Sequence, residues 1–176
     1  MSRVTLTEAE HLEPYLRELH DGARDDDWST RHCARAFATH PRLLESYLGF
    51  YYPWHSEGGL LARRLKELVR LRIATLNGCQ TCKAARLAQD EITEGEATAV
   101  DEFEEGATYS TREKTALRFA ERLATDHFNI DDEFIAEVRR QFSEPEFLEL
   151  AMMTGQYIGF GRVLATLQLE TTACPL

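Results

Sequence analysis

No run of about 18 consecutive apolar residues occurs in this 176-residue sequence, which leaves no candidate membrane-spanning helix. The stretch from Phe147 to Leu169 comes nearest, and Glu149, Gln156, Arg162 and Gln168 interrupt it. Positive charge is scarce. Twenty Lys and Arg stand against thirty Asp and Glu, a net charge of -10, so nucleic-acid backbones and anionic lipid surfaces would repel the chain. Arg63, Arg64, Lys66, Arg70 and Arg72 are the densest basic group. At helical spacing they fan around a helix and are broken by Glu67 and Leu68, so they make no basic stripe. The opening MSRVTLTEAEHLEPYL lacks the apolar core of a signal peptide, which predicts a cytoplasmic, reducing setting. Four cysteines (Cys33, Cys79, Cys82, Cys174) are too few for a secreted disulfide framework. No internal repeat is visible, and the alternation that marks strands is nearly missing.

What remains is helical. Apolar residues make up 43% and charged residues 28%, enough for one sizeable core. We read residues 1–28 as a helical arm and linker and 29–176 as the main domain. Thr7 with Glu10 suits a capping box for a helix over 7–20. Asp21 to Trp28 reads as a turn. Helices follow over 30–39 and 42–51, the second stopped by Pro53. Over 59–76, Leu61, Leu65, Leu68, Val69, Ile73 and Leu76 give the strongest amphipathic pattern. Asn77-Gly78 breaks it, and a new helix is predicted from Cys79 to about Asp90. Further helices are expected over 94–104, 112–126 and 132–141. A last one starts at Ser143, with Glu146 completing a capping box. It is apolar nearly all round, which places it centrally or at a subunit interface. Gly155, Gly159 and Gly161 suggest close helix packing rather than a ligand loop, since no strand precedes them.

The chemistry concentrates in Glu67-LVRLRIATLNG-Cys79-QT-Cys82-KAA-Arg86. Two cysteines three apart at a helix start lie one turn apart on one face, close enough for a disulfide. The helix N-terminus favours a thiolate. The alternatives are unreactive buried thiols or a metal site, and a single Cys-x-x-Cys supplies half the ligands zinc needs. Glu67 has Leu60, Leu71 and Ala74 as helical neighbours. That placement suggests desolvation and a raised carboxyl pKa. A proton relay competes there with a buried salt bridge to Arg63, Arg64 or Arg70. Arg86 falls on the helical face of the two cysteines, where it favours thiolate but cannot exchange a proton near neutral pH. An ion-pair role is the simpler reading. Cys33, next to Ala34 and Phe37, reads as a small core residue, and Cys174 as incidental. The aromatic run Phe50, Tyr51, Tyr52, Trp54 suits core or interface, or a wall beside the cysteines.

A glutamate, eleven residues, then Cys-x-x-Cys, preceded by Arg-Ile-Ala-Thr-Leu-Asn-Gly, resembles the AhpD-like members of the carboxymuconolactone decarboxylase family. The upstream His40-Pro41 before an apolar helix is also similar. The resemblance covers roughly residues 36–126 well and the last helix loosely. It implies an all-α bundle of about seven to nine helices with Cys-x-x-Cys at the start of a central helix. It further implies a homo-oligomer (dimer, trimer or hexamer), a small hydroperoxide substrate, a dithiol reductant or carrier protein, and neither cofactor nor metal. By the family scheme Cys82 attacks the peroxide, Cys79 resolves it as a disulfide and meets the reductant, and Glu67 belongs to the proton relay. The sequence departs from the family at Thr81 and Arg86, where histidines are usual. His55 and His127 are then the candidate substitutes for the missing proton carrier. A thiol peroxidase is the leading expectation. The alternatives are a cofactor-free decarboxylase and a non-catalytic redox-sensing oligomer.

Overall fold

The computed structural model describes residues 2–56 and 58–170. Among them are nine α-helices and no strand: α1 (Pro14–Asp21), α2 (Trp28–Ala36), α3 (Pro41–Ser56), α4 (Arg63–Leu76), α5 (Gln80–Ala84), α6 (Glu94–Thr98), α7 (Thr111–Thr125), α8 (Asp132–Gln141) and α9 (Glu144–Leu167). The starts obey local chemistry. Asp27, Thr93, Ser110 and Asp131 accept backbone N–H groups at the starts of α2, α6, α7 and α8. The Glu146 carboxylate takes the Ser143 backbone N–H and hydroxyl, both at 2.8 Å. Each such cap contributes about 1 kcal/mol by satisfying donors that the first turn leaves unpaired.

α4 is the spine. It packs against α7 on one side and α9 on another, and Leu65, Leu68, Val69, Leu71 and Ile73 are all buried. Each contributes on the order of 2 kcal/mol through burial. α7 buries Ala116, Leu117, Phe119 and Ala120 in the core it shares with α4. From α9, α4 meets the side carrying Leu150, Met153 and Tyr157, while Leu148, Met152 and Val163 face outward. None of the helices among the described residues is long and apolar enough to cross a membrane.

Several expectations are corrected. No helix spans 7–20. A short 3-10 turn, Ala9–His11, precedes an extended Leu12, and α1 starts at Pro14, because proline is suited to the first position and not the interior. Pro53 does not stop α3, which continues to Ser56. An interior proline costs about 3 kcal/mol, and the burial of Tyr51 and His55 on either side of it offsets that cost. α3 ends instead before Gly59, which has φ +90; a Cβ there would lie 2.2 Å from the Glu149 carboxylate. The helix expected from Cys79 to Asp90 is the five-residue α5, ended by an extended Ala85. Of the three glycines of α9, only Gly161 serves close packing; beside Gly155 and Gly159 there is open space.

The first residues lie against the body. Leu12 and Leu16 join the main core. Val4 and Leu6 pack against a smaller cluster of Cys79, Leu164 and Leu169. The Arg3 N–H donates to the Leu167 carbonyl at 2.9 Å, and His32 Nδ1 lies 2.7 Å from the Leu169 carbonyl.

Candidate active site

The site grows from two α4 residues one turn apart. Arg70 grips Glu67 with two parallel bonds, Nε to Oε2 at 2.7 Å and Nη2 to Oε1 at 2.8 Å. The same guanidinium donates to the Cys82 carbonyl at 2.6 Å and to that of Ala85. Glu67 in turn accepts the Leu87 N–H at 3.0 Å. One buried ion pair thus clamps the chain from Cys82 to Leu87, which explains why α5 is so short. Its carbonyls are taken by Arg70 instead of by another helical turn.

Glu67 is fully buried. Burial alone would raise its carboxyl, as the sequence reading anticipated. The Arg70 guanidinium and the neighbouring His55 reverse this and hold it far below the usual carboxylate range. Of the three arginines open as partners, the structure selects Arg70. Arg63 reaches Asp90 and Glu91, and Arg64 reaches Glu96 and Glu113.

His55 is also fully buried. Its Nε2 lies 3.3 Å from Glu67 Oε2, outside the line of a full hydrogen bond. Its Nδ1 lies 2.9 Å from the Tyr157 hydroxyl, and its ring stacks on Tyr51 with centroids 5.3 Å apart. Burial lowers its pKa below 6.5, with the Glu67 carboxylate pulling the other way. Burial raises the Tyr157 phenol well above 10.

Gly78, with φ +61, turns the chain from α4 into the cysteine pair. Cys79 and Cys82 form a disulfide with Cα atoms 5.3 Å apart. The Cys82 N–H points to Cys79 Sγ at 3.1 Å, so the sulfur itself caps α5. A five-residue helix has little macrodipole. This local N–H takes the place of the long-helix field expected from the sequence. Cys79 is fully buried in a cluster with Leu164 and Leu169, against which Val4 and Leu6 pack, while Cys82 is half-buried. Gly161 permits α9 to approach: a Cβ there would lie 2.6 Å from Asn77 Nδ2 and 3.7 Å from Cys82 Sγ.

Cys82 lines a cavity of about 90 Å³ whose walls include Cys33, Tyr47, Tyr51, Tyr157 and Phe160. Tyr51, from the aromatic run, is thus a wall beside the cysteines, whereas Phe50 and Trp54 are exposed. Thr81 also lines the cavity, and its buried hydroxyl has no hydrogen-bond partner. Cys33 packs against the main core, as its sequence setting suggests, and also forms part of this wall; burial pushes its thiol up to about 12.

Arg86 does not share a helical face with the cysteines, because α5 ends at Ala84. Its Nη1 binds Glu94 at 2.6 Å, and its Nε lies 4.0 Å from Glu67. This is an ion-pair role, but a buried one. His127 sits exposed in a turn beyond α7, its ring near that of Phe128. It does not line the cavity. Cys174 lies outside the described residues. Among the described residues no cluster of three or more His, Cys, Asp or Glu is arranged to hold a metal. Tyr157 and Tyr47 had no sequence signal beyond their place in apolar helices.

No protein-family model matches the chain. Over 87 residues it is 33% identical to an uncharacterized protein of Mycobacterium tuberculosis, found in two strains. That stretch covers 48% of this chain and 31% of the relative, so the match spans about a third of the relative's length. Crystal structures of other proteins share the fold, two of them over nearly the whole chain. One is the AhpD core of an uncharacterized peroxidase-related protein from Ralstonia eutropha, with a TM-score of 0.81 and 17% identity over 98% of this chain and 93% of the other. The second is an uncharacterized peroxidase-related protein from Silicibacter, with a TM-score of 0.77 and 15% identity over 97% and 93%. The fold is therefore AhpD-like.

Proposed function

We propose that the chain is a thiol-dependent peroxidase that reduces a small organic hydroperoxide through its Cys79–Cys82 pair. The observation that carries this is the unequal setting of the two sulfurs: one half-exposed on an apolar cavity, its partner sealed behind it. The fold shared with peroxidase-related proteins supports the same reading.

In the reduced protein the Cys82 thiolate attacks the terminal oxygen of the hydroperoxide. An S–O bond forms, the O–O bond breaks, and the alkoxide leaves with the bonding pair and is protonated. The Cys79 thiolate then attacks the sulfenic sulfur. Hydroxide leaves and is protonated to water, and the disulfide forms. Two exchanges with an external dithiol return both thiols and leave that dithiol oxidised. Glu67, held ionised by Arg70, is not the acid in this cycle. It fixes His55 and the backbone at Leu87.

The test is consumption of tert-butyl hydroperoxide with dithiothreitol as reductant, in the parent protein and in Cys82→Ser. The expected result is turnover in the parent and at least a hundredfold loss in the variant. Equal rates, or disulfide formation without turnover, would overturn the enzymatic reading.

A further inference from the structure

The cycle above needs a proton carrier, and Arg86, standing where the AhpD-like enzymes have a histidine, cannot be one. The cavity wall offers another. Tyr157 lines the same cavity as Cys82, and its hydroxyl lies 2.9 Å from His55 Nδ1. On the far side of the imidazole, Nε2 faces the Glu67 carboxylate. A carboxylate only accepts, so Nε2 carries the ring proton and Nδ1 accepts from the phenol. A phenol that donates its proton still keeps lone pairs with which to accept another.

We infer that Tyr157, backed by His55, is the group that carries the proton from the Cys82 thiol to the departing alkoxide. This rests on the peroxidase reading. The steps balance. The thiol gives its proton to the Tyr157 oxygen as Tyr157 passes its own to His55 Nδ1. The resulting imidazolium sits against Glu67. The thiolate then displaces alkoxide from the peroxide. Tyr157 donates its proton to that alkoxide, and His55 returns the borrowed one. The sulfur is oxidised, the peroxide is reduced, and no proton is gained or lost overall.

Three further features support the assignment. Tyr157 and His55 are both buried, so bulk water competes poorly for the relay. The imidazole is neutral near pH 7, since burial lowers its pKa, and is therefore able to accept. The groups facing it are Glu67, Arg70 and Lys66 from α4, Tyr51 from α3 and Tyr157 from α9. The Glu67–Arg70 pair leaves little net charge, so the imidazolium can form only briefly. Tyr157 contacts the reacting groups in this scheme, whereas His55 acts through it as a positioning residue.

The experiment is single-turnover oxidation of the reduced protein, read as thiol loss, with tert-butyl hydroperoxide and with peracetic acid. The second oxidant expels acetate, which needs no proton. Any change in thiol ionisation affects both oxidants and cancels in their ratio. In Tyr157→Phe the alkyl-to-peracid rate ratio is expected to fall about a hundredfold, within the range of general acid catalysis. His55→Gln, the second variant should Tyr157→Phe fold poorly, is expected to lower the ratio as well. A ratio within about twofold of the parent's in both variants would overturn the role of Tyr157 while leaving the peroxidase reading standing. A parent protein that neither oxidant converts would overturn both.

Discussion

Arg70 touches two carboxylate oxygens and two backbone carbonyls from different turns of the chain. Removing it strands an ionised carboxylate with no solvent. Arg70→Ala is therefore expected to cost about 3–5 kcal/mol in urea unfolding, the range for breaking a buried pair from one side. A loss under about 1 kcal/mol would show that Glu67 is served by other partners. At this scale the sequence was only partly legible. Glu67 and the cysteines announced themselves by spacing. That Arg70 and not Arg63 or Arg64 would partner Glu67 depends on which way α4 faces α5. His55 was one of two histidines with nothing to rank them; burial against Tyr51 and Tyr157 decides for it and leaves His127 exposed. Tyr157 was invisible because an aromatic in an apolar helix reads as packing, and its partner lies 102 residues away.

At the scale of the element, α9 carries one tight glycine and two loose ones. Gly161→Ala is expected to destabilise by about 1–3 kcal/mol through overpacking against Asn77. Gly155→Ala and Gly159→Ala, with open space around each, are expected to stabilise by about 0.5–1 kcal/mol, because alanine is the better helix former. Thermal denaturation of the three variants checks this, and a uniform effect would contradict the geometry. The long helices were legible, since the periodicity over α4 and the cap of α9 are local facts. α5 and α3 were not. One is cut short by a side chain from another helix, and the other carries Pro53 because its neighbours are buried elsewhere. Both are tertiary effects overriding local preference.

For the whole molecule, acid is the weak direction. His55 has a lowered pKa in the fold, so the unfolded chain takes up its proton first and stability declines as pH falls below about 6.5, the ordinary histidine value. Glu67, Asp27 and Glu146 are all held below their ordinary carboxyl values, and Glu96 lies at about 2. Their contribution is complete above the unfolded carboxyl range and drains away as pH drops through and below about 4. Urea midpoints measured from pH 8 to pH 3 should fall in two stages, and Glu67→Gln should flatten the second. A flat profile would mean that these carboxylates are unperturbed.

The sealing of one sulfur has a kinetic corollary. Cys79 is fully buried in a cluster with Leu164 and Leu169, against which Val4 and Leu6 pack; in the proposed cycle a reductant would therefore meet the disulfide from the cavity side and strike Cys82 first, the reverse of the order that the family resemblance implies. Slender dithiols then outpace bulky ones at equal redox potential, unless that cluster opens. Loosening it with Leu169→Ser should narrow that gap between large and small donors, turning a one-door chamber into a two-door passage.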